Sequence, residues 1–202
     1  MSFRKLFRAL LTFGCASIFV VGCTTVDRVP FFWRADYSGR WNDTDSRLVS
    51  REMVSEMNDS GWIPRFKLAH QRLPVVIVGD IRNLTSEHIE TETFIKDLER
   101  ELVNSGRVKF VAAKGEREEI RTERKDQQNR ATGDTAKAVG KVETGADFML
   151  QGSMKSIIDT EGGRQVRYYQ VDLELVAIET TEKTWIGTKK IKKLVQRSPV
   201  KW

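Results

Sequence analysis

The sequence predicts an α+β fold, in which a mixed sheet of about five strands packs against helices in a single layer pair. Two patterns predict it. A strand, a helix and a second strand follow one another within about 40 residues near the middle of the chain, and three strand patterns follow one another near its end. The chain has 202 residues, of which 40% are hydrophobic and 31% are charged. This size and composition suit one globular domain with an appendage.

The first 22 residues have the features of an export signal. The basic residues Arg4, Lys5 and Arg8 precede the apolar run Ala9–Val21, which as a helix is about 20 Å long and too short for a ~30 Å hydrocarbon core. Residues 20–23 (VVGC) look like a bacterial lipobox, in which a small residue admits the peptidase and the cysteine thiol accepts the lipid. We expect residues 1–22 to be a lipoprotein signal peptide and Cys23 to be lipidated. An ordinary secretory signal with a chance cysteine is the alternative.

Removal of this signal changes both the charge and the cysteine content. The three lost basic residues lower the net charge from +6 to +3, which weakens the case for a nucleic-acid partner. Cys15 leaves with the signal and Cys23 carries lipid, so no cysteine remains for a disulfide, a thiol nucleophile or a zinc site. Thr24 stands where an aspartate would signal retention in the inner membrane, which favours the outer membrane.

A short tether is expected over residues 23–43, which include the lipidated cysteine. Its roughly 20 residues hold one proline, Pro30, and reach at most about 70 Å when extended and about 25 Å as a flexible coil. Its aromatic side chains either pack on the domain or membrane interface, or form a docking strip for a partner. They are Phe31, Phe32, Trp33, Tyr37 and Trp41.

The globular domain is expected over residues 44–202 and begins with a helix. The polar run Asn42–Ser46 is rich in N-capping residues and predicts a helix that continues to about Asn58. Val49, Met53 and Met57 recur at helical spacing and mark its buried side.

A strand–helix–strand unit follows. Val75–Val78 is a short β-branched run, apolar on both sides, and predicts a buried central strand. Glu92–Asn104 predicts a helix that ends at Gly106, and Val108–Ala112 predicts the second strand. Two strands joined by a helix are expected to be parallel, with a right-handed crossover.

The next segment, Glu116–Arg130, carries ten charges in fifteen residues, five of each sign. It predicts either an exposed helix or a mobile excursion, and its zero net charge argues against an electrostatic target. Asp134 is then expected to cap a short helix.

Three successive strands are expected at Phe148–Ile158, Arg167–Glu179 and Thr184–Val195, joined by turns at Glu161–Gly163 and Thr180–Lys183. The middle strand alternates apolar and polar residues, so one of its faces should be buried and the other wet. Its inward residues are expected to be Tyr169, Val171, Leu173, Leu175 and Ala177.

The sequence offers few residues for chemistry. His70 and His88 lie in no metal-binding spacing, and no Gly-x-Ser-x-Gly elbow for a serine hydrolase is present. A faint likeness to a phosphate loop at residues 133–141 fails because its spacing is too long and Val142 replaces the Ser or Thr that binds magnesium. The 28 acidic residues single out no catalytic pair. We therefore expect no catalytic residue, metal, cofactor or small-molecule substrate.

The strongest basic cluster consists of Lys189, Lys190, Lys192 and Lys193. On a strand, Lys189 and Lys193 point to one face while Lys190 and Lys192 point to the other. The cluster either protects an edge strand from association or binds an acidic partner or an anionic wall polymer.

Four parts of the chain carry a family resemblance. They are Ser38–Ser46 (SGRWNDTDS), Val75–Gly79 (VVIVG), Asn83 and Gly145–Gly152 (GADFMLQG). Together with the lipobox and the tether, they resemble the LpoB family of outer-membrane lipoproteins, and the resemblance covers about residues 38–196. Gly145 and Gly152 are expected to serve a turn and a close approach of two strands.

The resemblance implies a function as well as a fold. The fold is similar to the N-terminal domain of TolB, and family members have no enzymatic activity. They bind an accessory domain of a bifunctional penicillin-binding protein and stimulate glycan-chain polymerisation. Only Cys23 carries over as a functional residue. Two alternatives remain: an assembly lipoprotein closer to those of curli secretion, and a wall-active enzyme with an unrecognised carboxylate site.

Overall fold

The computed structural model describes residues 28–30, 36, 38–130 and 143–196. The chain divides into two compact units, Met1–Trp33 and Arg34–Trp202, and every element below belongs to the second. The described residues form four helices and five strands. In chain order these are α1 (Asp43–Asp59), α2 (Trp62–His70), β1 (Val75–Leu84), α3 (Thr91–Ser105), β2 (Lys109–Phe110), α4 (Lys114–Arg130), β3 (Phe148–Glu161), β4 (Arg164–Ala177) and β5 (Lys183–Gln196).

The strands form one mixed sheet in the order β2-β1-β3-β4-β5. β1 is parallel to both β2 and β3, whereas β3, β4 and β5 are successive antiparallel neighbours. The predicted α+β class is therefore confirmed, as is the parallel pairing of the two strands on either side of α3. β2 is shorter than predicted and keeps only two residues.

The hydrophobic core lies between the sheet and two helices, α1 and α3. We call the side of the sheet that carries these helices the inner face and the opposite side the outer face. The buried helix residues are Val49, Met53 and Met57 of α1 and Phe94, Leu98 and Leu102 of α3. The buried strand residues beneath them include Val76, Val78, Ile81, Leu150, Met154, Val171, Leu173 and Leu175. Full burial of such a side chain contributes about 1.5–3 kcal/mol to folding.

The start of α1 follows the predicted capping pattern. The Asn42 side chain accepts a hydrogen bond from the backbone N–H of Asp45 at 3.1 Å, and the Asp45 carboxylate accepts one from the backbone N–H of Asn42 at 3.1 Å. These two bonds satisfy donors that the first helical turn leaves without partners.

Strand β1 continues beyond the predicted Val75–Val78 to Leu84, and a bulge interrupts the alternation of its side chains. Its register with β3 shifts between Val78 and Ile81, which inserts one extra residue into β1. The bulge reverses the alternation, so that Ile81 points to the inner face while Arg82 and Leu84 point to the outer face. The predicted strand ends at Val78 because the bulge breaks the alternation of inward and outward side chains by which a strand is recognised in sequence.

Helix α2 was not predicted. Pro64 lies in the first turn of this helix, where a proline is tolerated. Trp62 is buried, and its indole N–H donates to the backbone oxygen of Met57 at 2.9 Å. α2 is thereby fixed to the end of α1.

The charged segment forms helix α4. Arg121 donates to both carboxylate oxygens of Glu143, at 2.6 and 2.7 Å, and Lys96 of α3 pairs with Glu116. The bond from Lys96 holds the pKa of Glu116 below its ordinary value. The short helix expected after Asp134 lies outside the described residues.

The three C-terminal strands are confirmed and run as two long hairpins of 14-residue strands. β3 and β4 are joined by the predicted turn at Gly162-Gly163, and β4 and β5 by residues 178–182. Among the helices of the described ranges, none is both long and apolar enough to cross a membrane.

Candidate partner-binding surface

The outer face of β3, β4 and β5 is a surface on which most side chains are exposed or half-buried. Because the strands pair in register, the outward side chains line up in rows across the sheet. The rows are Gln151, Glu174 and Ile186; Ser153, Asp172 and Thr188; Lys155, Gln170 and Lys190; Ile157, Tyr168 and Lys192; and Asp159, Val166 and Leu194.

The polar half of the outer face is centred on Asp172. Its carboxylate accepts hydrogen bonds from Gln170 at 2.8 Å, Thr188 at 2.9 Å and Lys155 at 3.0 Å. Burial raises the pKa of Asp172, but these three donors outweigh it and hold the pKa below its ordinary value. A carboxylate that stays ionised and has its oxygens occupied is a poor proton acceptor for catalysis. We therefore interpret the depression of about 630 Å³ beside Asp172 as a polar part of the surface and not as a catalytic site.

The outer face also carries exposed aliphatic side chains and two lysines, and of these residues Ile186 borders the depression beside Asp172. Four aliphatic residues are more than half exposed: Ile157 at 66%, Leu194 at 59%, Ile186 at 57% and Leu84 at 53%. Lys190 and Lys192 lie among them, are exposed, and form no ion pair with any described residue. Exposed apolar patches bordered by polar residues mark interaction sites on proteins. Two neighbouring charges of one sign favour a partner that carries the opposite sign.

The remaining two lysines of the cluster lie on the inner face. Lys189 pairs with Glu52 of α1. The Lys193 side chain, only 11% exposed, pairs with Asp45 and with Asp36 at 2.7 Å, and it donates to the backbone oxygen of Arg40 at 2.9 Å. Burial raises the pKa of Asp45, and Lys193 opposes that rise. The predicted division of the cluster between two faces is confirmed, and β5 is an edge strand.

The residues around Lys193 fix the start of the domain. The Trp41 ring packs edge-on against Phe94 and Tyr169, with ring centroids 6.0 and 5.8 Å apart. Gly39 has a φ of +65°, and a Cβ there would lie 2.2 Å from the Val195 side chain. The compact unit therefore includes residues that the sequence assigned to the tether, and Trp41 packs on the core. The other tether aromatic residues, Phe31, Phe32, Trp33 and Tyr37, lie outside the described residues.

A buried polar group adjoins Trp41. The Tyr169 hydroxyl donates to Glu87 at 2.8 Å, and Arg167 forms an ion pair with the same carboxylate. Burial, together with the Glu87 carboxylate, raises the pKa of Tyr169 to about 12. Glu87 lies in the loop between β1 and α3. Asn83 holds this loop in place by donating to the backbone oxygen of Glu87 at 2.9 Å.

The segment Gly145–Gly152, one of those that carry the family resemblance, also has structural roles. Asp147 accepts two hydrogen bonds from Arg72, at 2.6 and 2.7 Å, which hold its pKa below the ordinary value. A Cβ on Gly152 would lie 2.1 Å from the backbone oxygen of Asp172, so the predicted close strand approach is confirmed. A Cβ on Gly145 would meet nothing within 4 Å, and the structure gives no steric reason for a glycine there.

The described residues bring together no metal site. In the ranges 28–30, 36, 38–130 and 143–196, no group of three or more His, Cys, Asp or Glu side chains could hold a metal ion. His70 stacks on Phe66 with ring centroids 4.2 Å apart, and His88 is exposed. Cys23 and the segment at 133–141 lie outside the described residues.

Comparison with known proteins supplies the family. Residues 45–191 match the sequence model of a family described as peptidoglycan-synthase activator LpoB. The chain belongs to the LpoB family. Membership indicates a regulatory role in peptidoglycan synthesis, since the family is described as an activator of a synthase. No curated protein sequence is significantly similar to this chain.

Solved structures with some similarity include two LpoB domains. The C-terminal domain of LpoB from Escherichia coli is 18% identical, with a TM-score of 0.39 over 74% of this chain and 99% of that domain. The corresponding domain from Salmonella enterica is also 18% identical, with a TM-score of 0.31 over 67% of this chain and 93% of that one. A PelC dodecamer from Paraburkholderia phytofirmans is 16% identical, with a TM-score of 0.33 over 59% of this chain and 71% of that one.

Proposed function

We propose that this protein is a non-enzymatic envelope lipoprotein that binds and activates a bifunctional penicillin-binding protein. The contact is made through the outer face of the sheet. The observation that carries this proposal is the combination of exposed aliphatic residues with Lys190 and Lys192, which pair with no described residue, on that face of a chain of the LpoB family. The partner surface is an accessory domain of the synthase that offers an apolar centre and acidic groups.

Activation follows from unequal affinity for two states of the synthase. If the outer face binds the polymerising conformation more tightly than the resting one, binding shifts the synthase toward the polymerising state. A tenfold difference in affinity corresponds to about 1.4 kcal/mol and moves the equilibrium by the same factor. No side chain of this protein needs to take part in the chemistry.

In this proposal the anchor is a lipid on Cys23, held in the outer membrane. The second compact unit begins at Arg34, so the ten residues Thr24–Trp33 separate Cys23 from it in sequence. Ten residues span at most about 35 Å. The domain is thus kept close to its membrane, and the synthase must extend an accessory domain toward it.

Polymerisation of lipid II by the bifunctional penicillin-binding proteins of the same organism tests the proposal. The protein is purified from its own envelope in detergent and added at rising concentration. We expect a saturable acceleration with at least one synthase, and at least a tenfold weaker effect from a Lys190→Glu, Lys192→Glu variant.

The matched control reverses Lys67 and Lys109, two exposed lysines of α2 and β2 that carry the same total charge change. This control should accelerate polymerisation as well as the unaltered protein does. The absence of both binding and acceleration with every synthase would overturn the activator role. A large ring formed by the protein alone in detergent would then favour the assembly role.

The lipid anchor is tested by Cys23→Ala. Without the thiol no lipid can be attached, so we expect the variant to be soluble in the periplasm or retained with its signal uncleaved. Fractionation of membranes distinguishes these outcomes from normal anchoring. Unchanged localisation in the membrane fraction that holds the unaltered protein would contradict lipidation.

A further inference from the structure

Strand β5 is a long, open edge of the sheet. It pairs with β4 from Lys183 to Gln196 and, among the described residues, with no other strand. Its free side therefore presents backbone N–H and C=O groups over 14 residues. An edge of this length can accept a further strand, and proteins use such edges to bind extended segments of a partner.

The lysine cluster decides what that edge can accept. The run Lys189–Lys193 is symmetric about Ile191. If β5 strands of two copies paired antiparallel about this residue, Lys190 of each copy would face Lys192 of the other. Like charges directly opposite each other destabilise a strand pair, so this arrangement disfavours a second copy of the chain.

The charge that a partner strand must balance lies on one face only. Lys189 and Lys193 already have acidic partners on the inner face, whereas Lys190 and Lys192 have none among the described residues of the outer face. Because side chains alternate along a strand, the two free charges are matched by acidic residues two positions apart. Ile186 and Leu194 are exposed on the same face at either side of the pair.

We propose that the β5 edge binds an extended acidic segment of the synthase as an additional strand of the sheet. This assignment rests on the proposed function and names the form of the contact. The segment places two acidic side chains, two residues apart, beside Lys190 and Lys192. An apolar residue at each end of the segment covers Ile186 and Leu194. Main-chain hydrogen bonds supply affinity, and the alternating side chains supply specificity.

A synthetic peptide tests the edge without the synthase. The probe is acetyl-Ile-Thr-Thr-Thr-Glu-Thr-Glu-Thr-Ile-amide, in which both glutamates face the same side. The control peptide has the same composition with its two glutamates adjacent, so that they face opposite sides. Amide hydrogen exchange is measured on the full-length protein in detergent with each peptide at millimolar concentration.

We expect the probe to slow exchange at least tenfold at alternate β5 residues, those whose N–H groups point away from β4. The control peptide should slow them less than threefold. In the Lys190→Glu, Lys192→Glu variant the preference should reverse, so that a peptide with lysines at the two glutamate positions protects β5 and the acidic probe does not.

Equal protection by both acidic peptides, or none by either, would overturn the edge assignment. That result would leave the activator role to the polymerisation assay, which does not depend on the peptide. Conversely, protection of β5 by the probe together with failure of every synthase would uphold the acidic-strand edge and overturn the synthase as its source.

Discussion

The two faces of the sheet are built from the same strands, yet their lysines have different surroundings. On the inner face, Lys189 meets Glu52 and Lys193 meets Asp45, so both charges are matched within the molecule. On the outer face, one residue away along β5, Lys190 and Lys192 are exposed and meet no acidic partner in the part of the chain that the structure describes. A basic cluster that looks uniform in the sequence is therefore half structural and half available to a partner.

The apolar residues of the two faces differ in the same way. Leu173 and Leu175 of β4 are buried under α1 and α3, whereas Ile157 and Leu194 of the outer face are mostly exposed. The first pair already stabilises the fold by its burial. The second pair remains exposed to water, so a partner that covers it would gain the free energy of burying it. Substitutions on the inner face should consequently affect stability, and those on the outer face should affect binding.

The largest expected effect comes from Lys193→Ala. The substitution leaves the buried Asp45 carboxylate without its cation, and breaking a buried pair of this kind destabilises a protein by about 3 kcal/mol or more. Lys190→Ala, on the same strand but on the outer face, should change the free energy of unfolding by less than about 0.5 kcal/mol. Urea unfolding monitored by tryptophan fluorescence measures both. Equal effects of the two substitutions would remove the distinction between the faces.

A second comparison uses two glycines. Gly152→Ala places a Cβ against the Asp172 backbone and the Leu173 side chain, so the strands must separate and stability should fall by about 2 kcal/mol. Gly145→Ala, in the loop before β3, adds a methyl group to open space and should be nearly neutral. The midpoints of thermal unfolding of the two variants give the comparison. A Gly152→Ala protein as stable as the Gly145→Ala protein would show that the centre of the sheet is not closely packed.

The smallest expected effect is on the outer face, at Asp172. Because its pKa is lower in the folded protein than the unfolded value of about 3.9, the ionised carboxylate stabilises the fold above that pH. Asp172→Asn should therefore lower the free energy of unfolding by no more than about 1 kcal/mol at neutral pH. The difference between the two proteins should vanish as the pH falls through the folded pKa, below 3.9. A difference that persists unchanged in acid would mean that the charge of Asp172 plays no part.

Much of the fold could be predicted because its signals are local. The capping residues Asn42 and Asp45 lie three positions apart, and the alternation in β4 needs only its own 14 residues. Helix α2 was not predicted: it has only nine residues, and the position of Pro64 in its first turn makes that proline compatible with a helix. The bulge in β1 is set by pairing with β3, more than 60 residues away, and has no signal of its own.

The candidate surface could be predicted only in part. The period of two along β5 divides the lysines correctly, but it does not reveal that Lys193 meets Asp45, which lies 148 positions earlier. The signal that was available and unused is the presence of Ile186 and Leu194 at the wet positions of an amphipathic strand. Aliphatic residues at such positions serve no core, and the register of the sheet is needed to show that they share a face with Ile157.

The contacts of Lys193 also determine how mechanical load enters the domain. The Asp36 carboxylate and the backbone oxygen of Arg40 both bind Lys193, so a pull on the chain at Asp36 would reach β5 through side-chain contacts. The strand that carries the load is also the one whose lysines Lys190 and Lys192 face outward. A pull at Asp36 and a partner bound at Lys190 and Lys192 would thus act on the same strand.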